Sequence, residues 1–164
     1  MIVVIMGVCG SGKTTVGRAL AVRLQGRFLD ADTFHPHANV DKMAHGVPLT
    51  DEDRWPWFDR IVAELGRYRG AGAPLVLACS ALKQAYRDRL AQAGAVRFVY
   101  LKGDAATIEP RLASRTGHFM PQSLLASQFA TLEEPTAAIV VDIVQPVAMQ
   151  VDAIALALHR PLPA

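Results

Sequence analysis

The chain has 164 residues, 51% hydrophobic and 20% charged, enough for one domain with a substantial core and unlike a disordered polymer. A formal net charge of +2 is too small to imply nucleic acid or an anionic membrane as partner, and no apolar stretch approaches the ~18 residues of a membrane span. Two cysteines, Cys9 and Cys79, suggest neither a disulfide framework nor a zinc site, and no basic leader precedes the first apolar run, so a soluble cytoplasmic protein is expected.

The first apolar run, Ile2–Met6, reads as a strand. It leads into Gly7-Val8-Cys9-Gly10-Ser11-Gly12-Lys13-Thr14, a complete G-x-x-x-x-G-K-[ST] loop, and a helical pattern follows over 13–24. Glycines let the backbone curl so that its N–H groups face phosphate oxygens, and the helix adds its positive end. Lys13 would reach the β- and γ-phosphates and Thr14 would hold Mg²⁺, with Gly7 through Thr15 as the nucleotide-binding segment. ATP and Mg²⁺ are thus the expected cofactors.

The short second strand, Arg27–Asp30, runs into Asp30-Ala31-Asp32. Two carboxylates two residues apart on a strand point the same way. Such a pair can hold the water shell of Mg²⁺ or accept the proton of an attacking hydroxyl, but acidic residues are also common turn formers. Helices are expected at 36–45 and 51–69, with Thr50 as N-cap before Asp51-Glu52-Asp53, Pro56 tolerated in the opening turns, and Gly70-Ala71-Gly72 as the stop. His35-Pro36-His37, His45 and His118 have no structural-zinc spacing beside them, so polar contact with a hydroxylated substrate or capping suits them better. Trp55 and Trp57 are expected to pack the core or close a pocket.

Residues 75–79 form the third strand and 81–93 the next helix, which carries Lys83 and Arg87 four apart. That spacing suits either a cationic fork for an anionic acceptor or a structural ion pair with Asp88 or another acid. After a fourth strand at 96–101, a helix over 105–114 leads to Arg111 and Arg115, again four apart, able to fold over a triphosphate or to lie on a solvated face. Residues 116–135 break the alternation and read as an inserted helical lid, before a fifth strand at 139–143 and a last helix at 147–158.

Runs such as Leu75-Val76-Leu77-Ala78 and Ile139-Val140-Val141 do not alternate polar with apolar, as expected of strands covered on both faces. The β-α-β-α order predicts a single domain over 1–164, a three-layer α/β fold with a five-stranded parallel sheet. Ligands in such sheets lie beyond the carboxyl ends of the strands, so the phosphate loop, Asp30 and Asp32, Cys79-Ser80 and Lys102-Gly103 should converge.

Taken together these segments resemble the small gluconokinases of the adenylate-kinase-like P-loop group. The resemblance covers nearly the whole chain: the loop from Met6 to Thr14, Phe28-Leu29-Asp30-Ala31-Asp32 with His35-Pro36, Asn39, Lys42-Met43, and Pro48-Leu49-Thr50-Asp51-Glu52-Asp53-Arg54 with Pro56-Trp57. It continues through Cys79-Ser80-Ala81-Leu82-Lys83 with Tyr86-Arg87, Tyr100-Leu101-Lys102-Gly103, Gly117-His118-Phe119, Gln128-Phe129, Leu132-Glu133 with Pro135, and Val140-Val141-Asp142-Ile143 with Gln145-Pro146. It implies transfer of the ATP γ-phosphate to the 6-hydroxyl of D-gluconate, a Mg²⁺ requirement and a homodimer. By motif position it implies Asp32 as base, Asp30 as ligand to a Mg²⁺-bound water, and His35, Lys83, Arg87 and His118 around the sugar acid. Lys13, Arg111 and Arg115 would serve transfer and lid closure. The competing readings are shikimate kinase, whose acceptor is also a hydroxylated acid, a nucleoside monophosphate kinase, and a nucleotide-switched binding module. Cys9 stands where serine is common in the family, which an amide-based loop tolerates.

Overall fold

A computed structural model describes residues 1–68, 70–114 and 124–159. Five parallel strands, β1 (Ile2–Met6), β2 (Arg27–Asp30), β3 (Leu75–Ala78), β4 (Val96–Lys102) and β5 (Ile139–Asp142), pair in the order β2-β3-β1-β4-β5. Among the described residues the helices are α1 (Lys13–Arg23), α2 (His37–Ala44), α3 (Asp51–Arg67), α4 (Gln84–Ala91), α5 (Ala105–Ala113), α6 (Leu124–Thr131) and α7 (Val147–Leu158). The expected three-layer parallel fold is therefore present.

Central β1 explains the layering. Val3 and Ile5 join a core with Val16 and Leu20 of α1 and Val151 and Ile154 of α7. Ile2, Val4 and Met6 join a second core with Phe58, Ile61 and Leu65 of α3 and Tyr86 and Leu90 of α4. Alternate side chains of one strand thus feed opposite layers, and every β1 residue is buried. Gly17 lets α1 lie close to β2, since a Cβ there would stand 2.7 Å from Phe28 Cε2.

The start of α3 is held strongly. Thr50 Oγ1 accepts from Asp53 N at 3.3 Å and Asp53 Oδ2 accepts from Thr50 N at 2.9 Å, a reciprocal capping box. Lys42 Nζ donates to both Asp53 oxygens at 2.7 and 2.8 Å, and Asn39 Nδ2 to the Asp53 carbonyl at 2.8 Å. Two side chains of α2 therefore clamp it to the first turn of α3.

Two local expectations are corrected. Asp32 does not continue β2; residues Ala31–Phe34 form a 3-10 turn, capped by Asp30 Oδ1 accepting from Asp32 N at 3.1 Å. The helix expected from residue 81 begins at Gln84, because Ala81 takes a left-handed φ of 44° and the Ala81 and Leu82 carbonyls accept from Arg87 Nη1.

Candidate active site

The phosphate loop joins the end of β1 to α1. Gly10 and Gly12 hold φ values of 80° and 96°, a region that side chains disfavour. Gly12 is the N-cap of α1 and supplies no side-chain oxygen, so the first-turn N–H groups have no cap from that residue. Ser11 Oγ is buried with no hydrogen-bond partner. Lys13 Nζ donates to Val8 O at 2.9 Å, bringing its charge back across the loop. A loop turned by glycines, with a cation laid over it and an orphaned buried hydroxyl, suits a polyphosphate.

A pocket beyond the carboxyl ends of the strands joins this loop to an acidic and aromatic wall. Lys13, Thr14, Asp30, Asp32 and His35 all line it, so five of the residues singled out in the sequence come together. Asp30 and Asp32 meet through the capped 3-10 turn, not through strand alternation. Thr14 Oγ1 donates to Asp30 Oδ2 at 3.1 Å, tying the loop's hydroxyl to the end of β2. His35 Nε2 lies 3.9 Å from Asp32 Oδ1.

His35 is set by its surroundings. Its side chain is 3% exposed and stacks on Trp57 with ring centroids 4.0 Å apart. Trp57 is fixed in turn by donating Nε1 to Ala31 O at 2.7 Å. Burial, with the Arg54 charge second, pushes the imidazole from an ordinary 6.5 down to about 4, so the ring is neutral at pH 7. Asn39 Nδ2 faces His35 Nδ1 at 3.4 Å and is identified as the amide nitrogen by its bond to the Asp53 carbonyl. Nδ1 is then the acceptor, which assigns the ring proton to Nε2, on the Asp32 side.

The other side chains expected at the site stand elsewhere. Lys83 donates to both Asp51 oxygens at 2.9 Å, and Tyr86 Oη also donates to Asp51. Those bonds hold the Asp51 carboxyl below its usual range and the Lys83 ammonium above its own. Arg87 is 3% exposed and spends its guanidinium on the Ala81 and Leu82 carbonyls and on Gln84 Oε1. It braces the β3–α4 turn, so the cationic fork read from Lys83 and Arg87 gives way to an ion pair and a loop brace. Arg111 Nη2 donates to Ile143 O at 2.9 Å, beyond β5 and outside the pocket lining. Arg115 and His118 lie outside the described residues, as does the first part of the expected lid.

Helix α6, the described part of that lid, overlies the loop. Gln128 Oε1 accepts from Cys9 N at 2.6 Å, and Leu124, Ser127, Gln128 and Thr131 line the pocket. Glu133 N donates to Leu82 O at 2.9 Å and Glu133 Oε2 accepts from Gln84 N at 2.6 Å, anchoring the return from α6 and capping α4. Burial raises the Cys79 thiol to about 12, leaving it protonated and inert. In the sequence Arg54 stands only as the end of the segment 48–54, with no role assigned to it; it lines the pocket with His35.

A phosphate loop opening onto a carboxylate pair, in a pocket partly roofed by a helix, defines a P-loop kinase for small acceptors. A family profile described as an AAA domain matches residues 2–135. The thermosensitive gluconokinase of Escherichia coli strain K12 is 46% identical over 136 residues, covering 82% of this chain and 72% of that protein. An unliganded sugar kinase from Janibacter sp. HTCC2649 superposes with a TM-score of 0.90 at 44% identity, over 96% of this chain and 93% of that one. A gluconokinase from Sinorhizobium meliloti 1021 gives 0.84 at 43% identity, over 95% and 90%. The chain belongs to the gluconokinase family.

Proposed function

We propose that this chain transfers the ATP γ-phosphate to the 6-hydroxyl of D-gluconate, with Asp32 as base and Mg²⁺ as the metal. ATP-dependent phosphorylation of gluconate is the activity of its family, and the relatives at 43–46% identity favour neither shikimate nor a partner-switching role. The observation that carries the mechanism is the meeting of Lys13, Thr14, Asp30, Asp32 and His35 in one pocket.

The loop amides and Lys13 would hold the β- and γ-phosphates and meet the charge that develops as the bond to the departing ADP oxygen breaks. The acceptor O6 forms its new bond to the γ-phosphorus while its proton passes to an Asp32 oxygen. Neutral His35, with Nε2–H turned toward Asp32, would orient that carboxylate or a substrate hydroxyl. Among the described residues no three His, Cys, Asp or Glu side chains form a metal cage. The Thr14 hydroxyl would hold Mg²⁺ directly and the Asp30 carboxylate through a bound water, and both are hard oxygen groups of the kind that suit it. Bound there, Mg²⁺ would neutralise charge on the phosphates. Helix α6 would help exclude water, with Arg111, Arg115 and His118 as further candidates for closure and acceptor binding.

A single domain over 1–164 with a lid at about 116–135, a homodimer and a cytoplasmic location complete the proposal. The two free cysteines suit a reducing compartment, and among the described residues no helix is long and apolar enough to cross a membrane. Val140, Val144 and Met149 are exposed apolar side chains that a second subunit would cover. Sedimentation reads the dimer. ADP release with gluconate, shikimate or AMP in turn, with and without Mg²⁺, tests the activity: turnover with gluconate and Mg²⁺ is expected, and turnover only with another acceptor would overturn it.

A further inference from the structure

We infer that Arg54 binds the carboxylate of the sugar acid and so sets the preference for an acid over a neutral polyol; this rests on gluconate being the acceptor. The pocket must accommodate two anionic groups, the polyphosphate and the carboxylate at the far end of the acceptor from its reacting hydroxyl. Among the described residues lining it, Lys13 and Arg54 are the two cations. Lys13 is laid across the phosphate loop through Val8 O. Arg54 stands with His35 on the acceptor side, close enough for its charge to act on that ring.

The guanidinium is also oriented. Nη1 donates to the Leu49 carbonyl and, at 3.3 Å, to Tyr86 Oη, while the group lies 5.5 Å from the Tyr86 ring centroid. The Nε–Nη2 edge donates to no group among the described residues, although the side chain is only 16% exposed. Its nearest acid does not consume it. Asp51 is 3.8 Å from Nη1 and already accepts from Lys83 and Tyr86. A partly buried guanidinium held by one nitrogen, with no acceptor among the described residues on its other edge, is arranged for two parallel bonds to a carboxylate.

D-Gluconamide, with the charge removed and the shape nearly kept, separates this role from a structural one. The wild type is expected to prefer gluconate over the amide by about 100-fold in kcat/KM, the worth of a charge-assisted bidentate contact. R54M should lose about that factor on gluconate, chiefly through KM, and change less than about 3-fold on the amide. R54K, which keeps the charge without the fork, should fall between them, and it carries the test should R54M not fold. Equal losses on both acceptors in either variant, or a wild type indifferent to the charge, would overturn the proposal. A wild type that phosphorylates neither compound would instead refute the gluconate reading itself.

Discussion

Replacing His35 with glutamine removes a buried base, and the structure says how stability should then respond to pH. In the folded protein the imidazole titrates at about 4, against 6.5 ordinarily, because burial and then the Arg54 charge oppose its protonation. Between those values the unfolded chain holds a proton that the folded one does not, so stability rises with pH there and is lost as pH falls. The contribution is complete above 6.5 and declines toward 4. With a side chain only 3% exposed, solvent screening is small. The linkage relation gives a loss of about 1.4 kcal/mol by pH 5.5 and about 2.5 kcal/mol by pH 4.5. Urea unfolding of the wild type and H35Q at intervals from pH 7.5 to 4.5 reads this directly. The variant should start less stable, having lost its stacking on Trp57, but its curve should be flatter by that amount. Carboxylates common to both proteins cancel in the difference. Parallel curves would refute the lowered imidazole pKa.

Three further substitutions probe other layers of the argument. Lys13→Ala should lower kcat by about 100-fold or more while the protein stays folded, because it removes charge stabilisation in the transition state; a near-normal kcat in a coupled assay would take the loop lysine out of the chemistry. Asp32→Asn should cut kcat by about 10²–10⁴ with little change in ATP affinity; an effect confined to the KM for gluconate would make Asp32 a positioning residue. Thr50→Ala breaks the box that starts α3 and should cost about 1 kcal/mol in urea unfolding; no loss would mean that the Lys42 and Asn39 clamps suffice alone.

How much of this was legible in the sequence varied with the physics behind each part. The nucleotide side was plain, because its chemistry belongs to the backbone and glycine spacing encodes backbone directly. The central strands β1 and β3 were plain because burial on both faces leaves unbroken apolar runs, whereas the similar run in β5, expected to be covered on both faces, leaves Val140 exposed. The carboxylate pair was legible as a convergence but not in its geometry: a side-chain cap on Asp32 N, invisible to a period-2 pattern, turned the chain at Ala31. Ala81 hid a left-handed turn because nothing in an alanine announces one. Arg54 was hidden among acids whose helix-starting role was correctly read, and the i,i+4 spacing of Lys83 and Arg87 gave no indication of what each side chain would meet.

The cations were therefore the least legible part, and the reason is general. A lysine or arginine serves a ligand only if the fold leaves some of its donors unused, and that depends on acids and carbonyls distant in sequence. Lys42 is taken by Asp53, Lys83 by Asp51, Arg89 by Asp59 and Lys102 by Glu134. Arg87 and Arg111 are taken by backbone carbonyls. Among the described residues, the cations that reach the pocket are Lys13 at the phosphate loop and Arg54 across from it. Those two charges match the two anionic ends of the transfer, a triphosphate donor and a carboxylate acceptor. Asp51 holds Lys83 away from the pocket and accepts the Tyr86 hydroxyl that helps seat Arg54. The acid that withdraws one cation therefore also helps position the other, so the acceptor charge is set by the packing of α3 against α4 and not by any short motif.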